Sequence, residues 1–442
     1  MADTHLTRSI TSTSTSWTLS VWVKRALLSS TQYIMSWGSS GSTGNGIGFS
    51  SSDRLQYYSE ATGSNPTSSG RFRDNNGWYH VVVKNNAGTI TLYINGETLD
   101  NTGGTSGSAL NSSTMRIGDW VTGAYHYDGI MSHLHFIDGT AYSPSTFGET
   151  DSTTGEWKIK TLPSVTYGSD GFFILKDGNS VTDQSGNGNN YTLAGGTLTK
   201  TEDCPSNVFA TMTQLGTYDG TLSNGNTRVK TNQTNYRYIA STLGVDKGRY
   251  YWECKLQEIG NYMLSGITDT PSFPASGVTM LGNGSYDCAV YTGDQSANGG
   301  NGHLYHSSTS NASNTNTPGS FMAAFDSGHI LTFALDLDSA TKKLYIGANG
   351  QWANGSGATN QTFDNATGVS IVTPANTNSG FYFPACGDYS GTYGHWEYNF
   401  GNGYFGTTAV SSAGTNASNN GIFEYDVPAG YTALCTKGIN SF

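Results

Sequence analysis

The sequence predicts an all-β protein made of two antiparallel β-sandwiches joined by a linker. Short runs of residues alternate between apolar and polar side chains, which is the period of a half-buried strand. One hairpin pattern occurs twice, at widely separated places in the chain. Gly, Ser, Thr and Asn fill the segments between the runs, and these residues are typical of turns.

The repeated hairpin occupies residues 77–96 and 328–350. Each copy is a β-branched and aromatic run, a short polar turn, a second run that closes on Leu-Tyr-Ile at 92–94 or 344–346, and then Asn-Gly. Asn-Gly accepts positive φ at both central positions of a tight turn, so each copy predicts a three-stranded meander. Two distant copies predict two separate domains of related design.

The order of the elements divides the chain into three parts. Residues 15–24 alternate apolar and polar side chains and predict a strand with one buried face. A single helical turn at 143–149 closes the first sandwich, which we assign to 1–150. We assign 151–240 to a linker whose opening hairpin contributes strands to the second sandwich, and 241–442 to that sandwich.

Composition and charge exclude several classes of function. The net charge is −11, from 21 basic and 32 acidic residues without a Lys/Arg run, so no nucleic-acid partner is expected. No apolar run is long enough to span a membrane, and the first twenty residues lack the apolar segment of a signal peptide. The five cysteines form no C-x-x-C pair, which argues against a disulfide framework or a zinc site.

Most of residues 5–150 carries fold markers in a fixed order, at 17–22, 77–80, 92–96 and 127–130. This order resembles a laminin G-like domain of the concanavalin A-like lectin/glucanase superfamily. The resemblance implies a jelly-roll sandwich.

The second half carries another ordered set of markers, at 248–253, 264–267, 326–331, 383–385 and 399–401. Their succession resembles a SPRY domain, which is also a concanavalin A-like sandwich. A Gly/Asn/Ser-rich insertion at 292–320 departs from that pattern. The whole combination resembles a structural protein of marine tailed bacteriophages, and implies a virion-surface component such as a tail fibre.

The carboxylates of the sequence argue against catalysis. A glucanase on this fold needs two or three carboxylates on one strand, near enough to act across one glycosidic bond. No Glu-x-Asp-x-Glu run or near equivalent is present, and alternation places Glu253 and Glu258 on opposite strand faces. We therefore expect no enzymatic activity.

Two segments could hold a metal ion. His133 and His135 share a strand face, but outward polar side chains are the favoured interpretation because no third ligand converges. Residues 183–189 place oxygens at alternate positions, as calcium loops do, but lack the distal Glu. A turn held by side-chain to backbone hydrogen bonds explains this segment equally well, so calcium stays an open alternative and no other cofactor is expected.

Aromatic residues in loops are the remaining candidates for a binding site. An aromatic ring can stack on the apolar face of a sugar while a neighbouring Asp or Asn binds its hydroxyl groups. The alternative is that each ring packs against its own loop or a neighbouring subunit. The candidates are Trp120, Tyr125, Tyr127, Trp352, Asp388, Tyr389 and Tyr393.

The expected function is non-enzymatic binding of host cell-surface polysaccharide by a virion-surface protein, a tail fibre or receptor-binding subunit. Its other partners would be virion proteins and copies of itself, with a trimer favoured, and it would be assembled in the host cytoplasm without membrane insertion. The rival hypothesis is a capsid decoration or fibre protein with subunit contacts only. A polysaccharide depolymerase is the third.

Overall fold

The computed structural model describes residues 4–176, 180–213, 220–231, 237–259, 263–271, 281–282, 286–292, 302–306, 315–388 and 394–442. These residues confirm the prediction of an all-β fold: they are strands and loops, with one short helix, α1 (Thr436–Ile439). None of the described helices is long and apolar enough to cross a membrane. The 3-10 turns are Gly41–Thr43, Pro144–Thr146, Phe363–Asn365 and Pro374–Asn376.

The chain divides into two compact units, Met1–Ser206 and Asn207–Phe442. The strands of the first unit are β1 (His5–Ile10), β2 (Trp17–Arg25), β3 (Gln32–Gly38), β4 (Asn45–Phe49), β5 (Leu55–Ser59), β6 (Thr67–Ser68), β7 (Tyr79–Asn86), β8 (Thr89–Ile94), β9 (Glu97–Thr98), β10 (Asn101–Thr102), β11 (Ser113–Ile117), β12 (Gly129–Asp138), β13 (Gly148–Thr150), β14 (Trp157–Ile159), β15 (Phe172–Ile174) and β16 (Thr192–Gly195).

These strands form two main sheets. An eight-stranded sheet has the order β10-β6-β5-β4-β3-β11-β1-β16, and a six-stranded sheet has the order β15-β12-β2-β7-β8-β9. Strands β13 and β14 pair separately. The core joins the two sheets: Trp17 on β2 meets Trp37 on β3 edge to face, with ring centroids 5.3 Å apart. Aromatic rings bury large apolar areas, so such contacts contribute strongly to the stability of the sandwich.

Strand β2 is buried on both faces along its whole length, whereas the sequence predicted one buried face. The side chains that face away from the core are covered by later segments of the same unit. Thr18 Oγ1 donates to the carbonyl oxygen of Thr140 at 2.8 Å, and Lys24 Nζ donates to Asp203 Oδ2 at 2.7 Å. The chain after β12 therefore forms an additional layer over this sheet.

The first unit extends well beyond the boundary near residue 150 that the sequence suggested. Strand β15 pairs with β12, and β16 pairs with β1, so both complete the sheets of the first unit. The prediction that the opening hairpin of 151–240 contributes to the second sandwich is therefore corrected: this part belongs to the first unit as far as Ser206.

Asp170, just before β15, fixes this late segment to the start of the chain. Arg8 Nη2 donates to Asp170 Oδ1 at 2.7 Å, and the backbone N–H groups of Thr11 and Ser12 donate to Oδ2 at 2.8 and 2.7 Å. Burial alone would raise the pKa of Asp170, but these donors and the Arg8 charge lower it. The ionised carboxylate thus stabilises the pairing of the two ends of the unit.

The strands of the second unit are β17 (Gly220–Ser223), β18 (Arg228–Thr231), β19 (Arg237–Ala240), β20 (Arg249–Glu258), β21 (Met263–Thr268), β22 (Cys288–Thr292), β23 (Gly302–His306), β24 (Thr315–Met322), β25 (Ile330–Asp336), β26 (Lys343–Ala348), β27 (Gln351–Ala353), β28 (Thr359–Gln361), β29 (Val369–Ser370), β30 (Phe383–Asp388), β31 (His395–Asn399), β32 (Tyr404–Phe405), β33 (Thr408–Ala409) and β34 (Thr432–Ala433).

A ten-stranded sheet follows the path β17-β18-β31-β20-β25-β26-β27-β28, with β29 beside β26 and β34 beside β20. A six-stranded sheet has the order β19-β30-β21-β22-β23-β24, and β32 pairs with β33. Strand β23 and most of β24 lie within the insertion that the sequence showed at 292–320. The described parts of this insertion therefore extend the six-stranded sheet.

Strand β20 is the central strand of the second unit. Tyr250, Trp252, Cys254 and Leu256 alternate into the core, as their spacing predicts, and Cys254 is fully buried. Trp252 stacks on Phe333 of the neighbouring β25 with ring centroids 5.3 Å apart. The interpretation of Cys254 as a small core residue is confirmed.

The repeated hairpin is present in both units as the sequence predicts. Strands β7, β8 and β9 form one meander, and β25, β26 and β27 form the other. Asn95 and Gly96 have φ of 50° and 85°, and Asn349 and Gly350 have φ of 51° and 79°. Both turns therefore use the left-handed backbone that Asn-Gly favours.

Candidate functional site

Three neighbouring strands of the first unit present an unusual outer face. Gly46 and Gly48 on β4 lie between β3 and β5: Gly48 is opposite Tyr33 and Gln56, and Gly46 is opposite Tyr58. Alternate residues of β4 point into the core, so both glycines point outward. The outer face is therefore a strip of bare backbone flanked by tyrosines.

Aromatic rings lie directly on this bare backbone. A Cβ atom on Gly46 would lie 2.5 Å from the Tyr33 ring and 2.7 Å from the Trp120 ring, and one on Gly44 would lie 2.6 Å from Trp120. Real Cβ atoms do not approach other atoms so closely. Glycine is thus required at these positions for the rings to reach the sheet.

The loop at 118–127 delivers Trp120 to this position. The Trp120 N–H donates to the carbonyl oxygen of Ala124 at 2.8 Å, which closes a tight turn. The Tyr33 N–H donates to the carbonyl oxygen of Tyr125 at 3.0 Å, so the loop is attached to β3. Tyr125 has a left-handed φ of 54°, and this fixes the direction of its side chain.

We call the group Tyr33, Tyr58, Trp120 and Tyr125 the aromatic platform. The Trp120 ring lies 4.6 Å from Tyr33 and 5.7 Å from Tyr58 between centroids, and Tyr125 meets Tyr33 edge to face at 6.2 Å. Trp120 is only 6% exposed, whereas Tyr125 is 55% exposed and Tyr58 is half-buried. Trp120 and Tyr33 are therefore supports, and Tyr125 and Tyr58 are the rings that a ligand can contact.

A carboxylate lies at the edge of the platform. Tyr58 Oη donates to Glu60 Oε1 at 2.6 Å, and this bond is the largest cause of the raised pKa of Tyr58. Burial raises the pKa of Tyr33, and Tyr58, Tyr125 and Glu60 raise it further. Both hydroxyl groups therefore stay protonated, and remain hydrogen-bond donors, at ordinary pH.

Arg116, on β11 just before the loop at 118–127, does not balance the charge of Glu60. Arg116 Nε donates to Asp119 Oδ1 at 2.8 Å, and its Nη2 contacts the other oxygen of the same fully buried carboxylate. Such a bidentate pair is close to neutral as a unit. Glu60 is exposed and thus supplies the net charge at the edge of the platform.

The structure brings together two of the residues that the sequence singled out, Trp120 and Tyr125. Tyr127 lies apart from them: its Oη donates to the carbonyl oxygen of Lys24 at 3.1 Å, and burial raises its pKa. Tyr33 and Tyr58 were missed because they belong to strands. The available signal was Gly-x-Gly inside a strand pattern at 46–48, which marks the close approach of a ring.

Trp352 packs inside the second unit, which corrects its proposed role as a ligand contact. It lies on β27, is 5% exposed, and meets Phe363 at 5.0 Å and Tyr251 at 6.4 Å between ring centroids. These rings form a second apolar cluster on the outer face of the ten-stranded sheet, together with Phe423 and Tyr431. Trp352 therefore packs within its own unit and is not a surface for sugar contact.

The last three candidates lie at one end of β30 and beyond it. Asp388 ends that strand and has no exposed surface, so no ligand can reach it in this conformation. Burial raises the pKa of Asp388 to about 6. Tyr389 and Tyr393 lie outside the described residues.

The predicted histidine pair belongs to the packing of the first unit. His135 is 2% exposed, stacks on Phe173 with centroids 3.8 Å apart, and shares a 2.8 Å hydrogen bond between its Nδ1 and Tyr167 Oη. Burial lowers its pKa well below the usual value, so the ring is neutral. No cluster of three or more His, Cys, Asp or Glu in the described chain could hold a metal ion.

The segment at 183–189 is a hydrogen-bonded turn, and its oxygens do not fit a calcium ion. Asp183 Oδ1 accepts from the N–H groups of Phe173 and Ser185, and Oδ2 accepts from the N–H of Asn189 and the hydroxyl of Ser185. Arg8 Nη2 donates to Asn189 Oδ1 at 2.6 Å. A guanidinium at this oxygen repels a second cation, so the turn interpretation is favoured.

Glu253 of the second unit also has no exposed surface, and it is a structural contact. Its Oε1 accepts from Tyr251 Oη at 3.0 Å and from the Tyr425 N–H at 2.9 Å. Its Oε2 accepts from the Glu424 N–H at 2.9 Å and from Asn399 Nδ2 at 3.1 Å. Four donors hold it away from solvent, so it cannot meet a glycosidic bond.

Comparison with known proteins agrees with this fold. Residues 2–146 match the family model of the concanavalin A-like lectin/glucanases superfamily. A search of curated proteins finds none that matches.

Among solved structures, the SPRY domain of human HERC1 is similar at 14% identity and a TM-score of 0.26, over 39% of this chain and 86% of that one. A heptameric SAP-like pentraxin from Limulus polyphemus is similar at 16% identity and 0.26, over 32% and 72%. Domain 4 of AbnA, an arabinanase from Geobacillus stearothermophilus solved with arabinotriose, is similar at 18% identity and 0.25, over 31% and 65%. The family match is confined to residues 2–146 of the first unit, which are similar to the concanavalin A-like lectin/glucanases superfamily.

Proposed function

We propose that this chain is a non-enzymatic glycan-binding protein whose first unit holds a saccharide on the aromatic platform. The observation that supports this most strongly is the exposed ring of Tyr125, held against Tyr33 beside the carboxylate of Glu60. A second support is that these residues lie in a domain that matches the lectin/glucanase superfamily.

The platform has the chemistry that sugar binding needs. The apolar face of a pyranose ring can pack on Tyr125 and Tyr58, while Glu60 accepts hydrogen bonds from sugar hydroxyl groups. Trp120 and Tyr33 are buried beneath these rings and fix their positions. A preorganised surface of this kind loses little conformational entropy when a ligand binds.

The platform lacks the arrangement that hydrolysis needs. A glycosidase places two carboxyl groups about 5–9.5 Å apart across the scissile bond, one of them available as an acid. At the platform, Asp119 is fully buried and bound by Arg116, so only Glu60 faces solvent. Binding without cleavage is the function that this geometry supports.

The test is the retention of the full chain on a panel of immobilised polysaccharides, followed by titration with oligosaccharides of the best one. Tyr125→Ala removes the most exposed ring and should weaken binding about tenfold, since one aromatic contact contributes roughly 1.4 kcal/mol. The matched control is Phe381→Ala, which removes an aromatic ring that is 42% exposed in the second unit. Equal weakening by both variants, or no retention of the wild type, would refute the proposal.

We further propose that the protein serves on the surface of a tailed-phage particle, where several copies act together. A symmetric oligomer, with a trimer favoured, would multiply weak single-site affinities through effective concentration. The support for this setting is the resemblance of the whole sequence to such structural proteins. Electron microscopy of labelled particles tests it: label at tail or fibre tips agrees with adhesion, whereas label over the head indicates decoration.

A further inference from the structure

We propose that Glu60 makes the aromatic platform prefer saccharides with a free amino group over their N-acetylated or acidic counterparts. This inference rests on the proposed glycan-binding function and names the class of ligand for the same site. The ligand would be a chain of amino sugars, bound by its ring faces and by its ammonium groups.

The position of Glu60 is fixed by two hydrogen bonds. Its backbone N–H donates to the carbonyl oxygen of Gly44 at 3.0 Å, which attaches it to the start of β4 beneath Trp120. Its Oε1 accepts from Tyr58 Oη at 2.6 Å. Among the described residues of the first unit, none donates a hydrogen bond to Oε2, so this oxygen faces solvent beside an exposed ring.

The charges around the platform favour a cation. Arg116 is paired with the buried Asp119, so its charge is already balanced. No ion pair joins Glu60 to a lysine or arginine within the part of the chain that the structure describes. Tyr58, Tyr125 and Glu60 all raise the pKa of Tyr33, and none of these three groups is a cation.

An ammonium group at this edge gains two interactions that an N-acetyl group cannot make. It forms an ion pair with Glu60, and it lies over the electron-rich face of Tyr58 or Tyr125. Each interaction is modest at an exposed position, and together they predict about five- to tenfold tighter binding of the free amine. A uronic acid brings a second carboxylate to Glu60 and should bind more weakly than a neutral sugar.

The experiment compares three oligosaccharides of equal length on the full chain: glucosamine, N-acetylglucosamine and galacturonic acid oligomers. The titrations are carried out at mildly acidic pH, where the sugar amine and the uronic acid are both charged. The wild type should bind them in the order amine, N-acetyl, acid. Added salt should reduce the differences, because the site is exposed.

Two variants separate charge from contact. Glu60→Gln keeps the size of the side chain and an acceptor for Tyr58, but it removes the charge, so the preference for the amine should disappear. Tyr58→Phe removes the hydrogen bond to Glu60 but keeps its charge, so the order should persist even if all affinities fall.

The outcomes distinguish this inference from the function on which it rests. If the chain binds saccharides but does not prefer the amine, or if Glu60→Gln keeps the preference, the role of Glu60 is refuted while glycan binding stands. If no saccharide binds the wild type at all, both are refuted.

Discussion

Gly46 is the residue on which the aromatic platform depends most directly. It has no Cβ, and the rings of Tyr33 and Trp120 occupy the space where that atom would be. Gly46 is not in the left-handed region, so alanine would fit its backbone and only the side-chain contact would change. The consequence of adding one methyl group at this position can therefore be predicted.

Gly46→Ala should move both rings off β4, lower the free energy of unfolding by about 1–3 kcal/mol, and weaken saccharide binding. Urea unfolding and titration of the same preparation would measure both effects. Gly70→Ala is the matched control, because the nearest atom to its new Cβ would be 3.9 Å away. Unchanged stability and binding in Gly46→Ala would contradict the described contact of the rings with the strand.

The raised pKa of Glu253 predicts that the stability of the second unit depends on pH. Burial raises its pKa from 4.5 to about 7, and the Tyr251 hydroxyl can reverse its hydrogen bond to accept from the protonated acid. Between these values the folded state binds more protons than the unfolded state, so the free energy of unfolding should fall as the pH rises from 4.5 to 7.

Hydrogen exchange of the β20 amides in the full chain would report this stability across that pH range. In Glu253→Gln the side chain at this position does not titrate. The β20 amides should therefore lose the pH dependence that Glu253 causes, although the variant is less stable overall. The same slope in the wild type and in Glu253→Gln would assign the dependence to other groups.

Trp120 and Trp352 show how far the role of a single aromatic residue can be predicted from the sequence. Trp120 begins a turn and Trp352 follows one, and both were candidates for sugar contact. Both side chains are buried, but Trp120 packs against Tyr33 and the half-buried Tyr58, whereas Trp352 lies within an apolar cluster. Residue type and loop position indicate aromatic contact, but they do not indicate which segment will cover the ring.

At the scale of elements, the hairpins and the domain boundary differ in how far they could be predicted. The two meanders were predictable because Asn-Gly turns and alternating runs are local signals, and Asn95 and Asn349 adopt the expected left-handed backbone. The boundary was not predictable in the same way. Strand β16 pairs with β1, and no local pattern connects residues so distant in sequence.

The corrected boundary predicts how the chain can be divided. A fragment ending at 206 keeps β15, β16 and Asp170, and should fold and resist proteolysis. A fragment ending at 150 loses both strands and leaves Arg8 without its carboxylate partner, so it should be less stable or unfolded. Limited proteolysis and thermal unfolding of the two fragments would measure this difference, and equal stability would contradict the assignment of 151–206 to the first unit.

At the scale of the whole molecule, the two units have separate apolar cores. The fold class followed from composition and periodicity, since low charge with many aromatic and β-branched residues favours a rigid β protein. The binding surface did not follow in the same way, because it joins β3, β4, β5 and a loop that alternation alone does not bring together.

Separate cores predict two transitions in calorimetry of the full chain. A saturating saccharide should raise the transition temperature of the first unit only. At a hundredfold excess over Kd, it adds about 2.7 kcal/mol to the free energy of unfolding of that unit. Fragment 1–206 identifies which transition belongs to the first unit. If only the other transition shifted, the binding site would have to be assigned to the second unit.

The central claim is that a saccharide binds on Tyr125 and Tyr58 beside Glu60. The most direct measurement is an experimental structure of the chain with an oligosaccharide from the binding panel. We predict a sugar ring stacked on Tyr125, with hydroxyl or amino groups within hydrogen-bond distance of Glu60. A sugar bound elsewhere, with the platform in contact with another protein subunit, would contradict the claim.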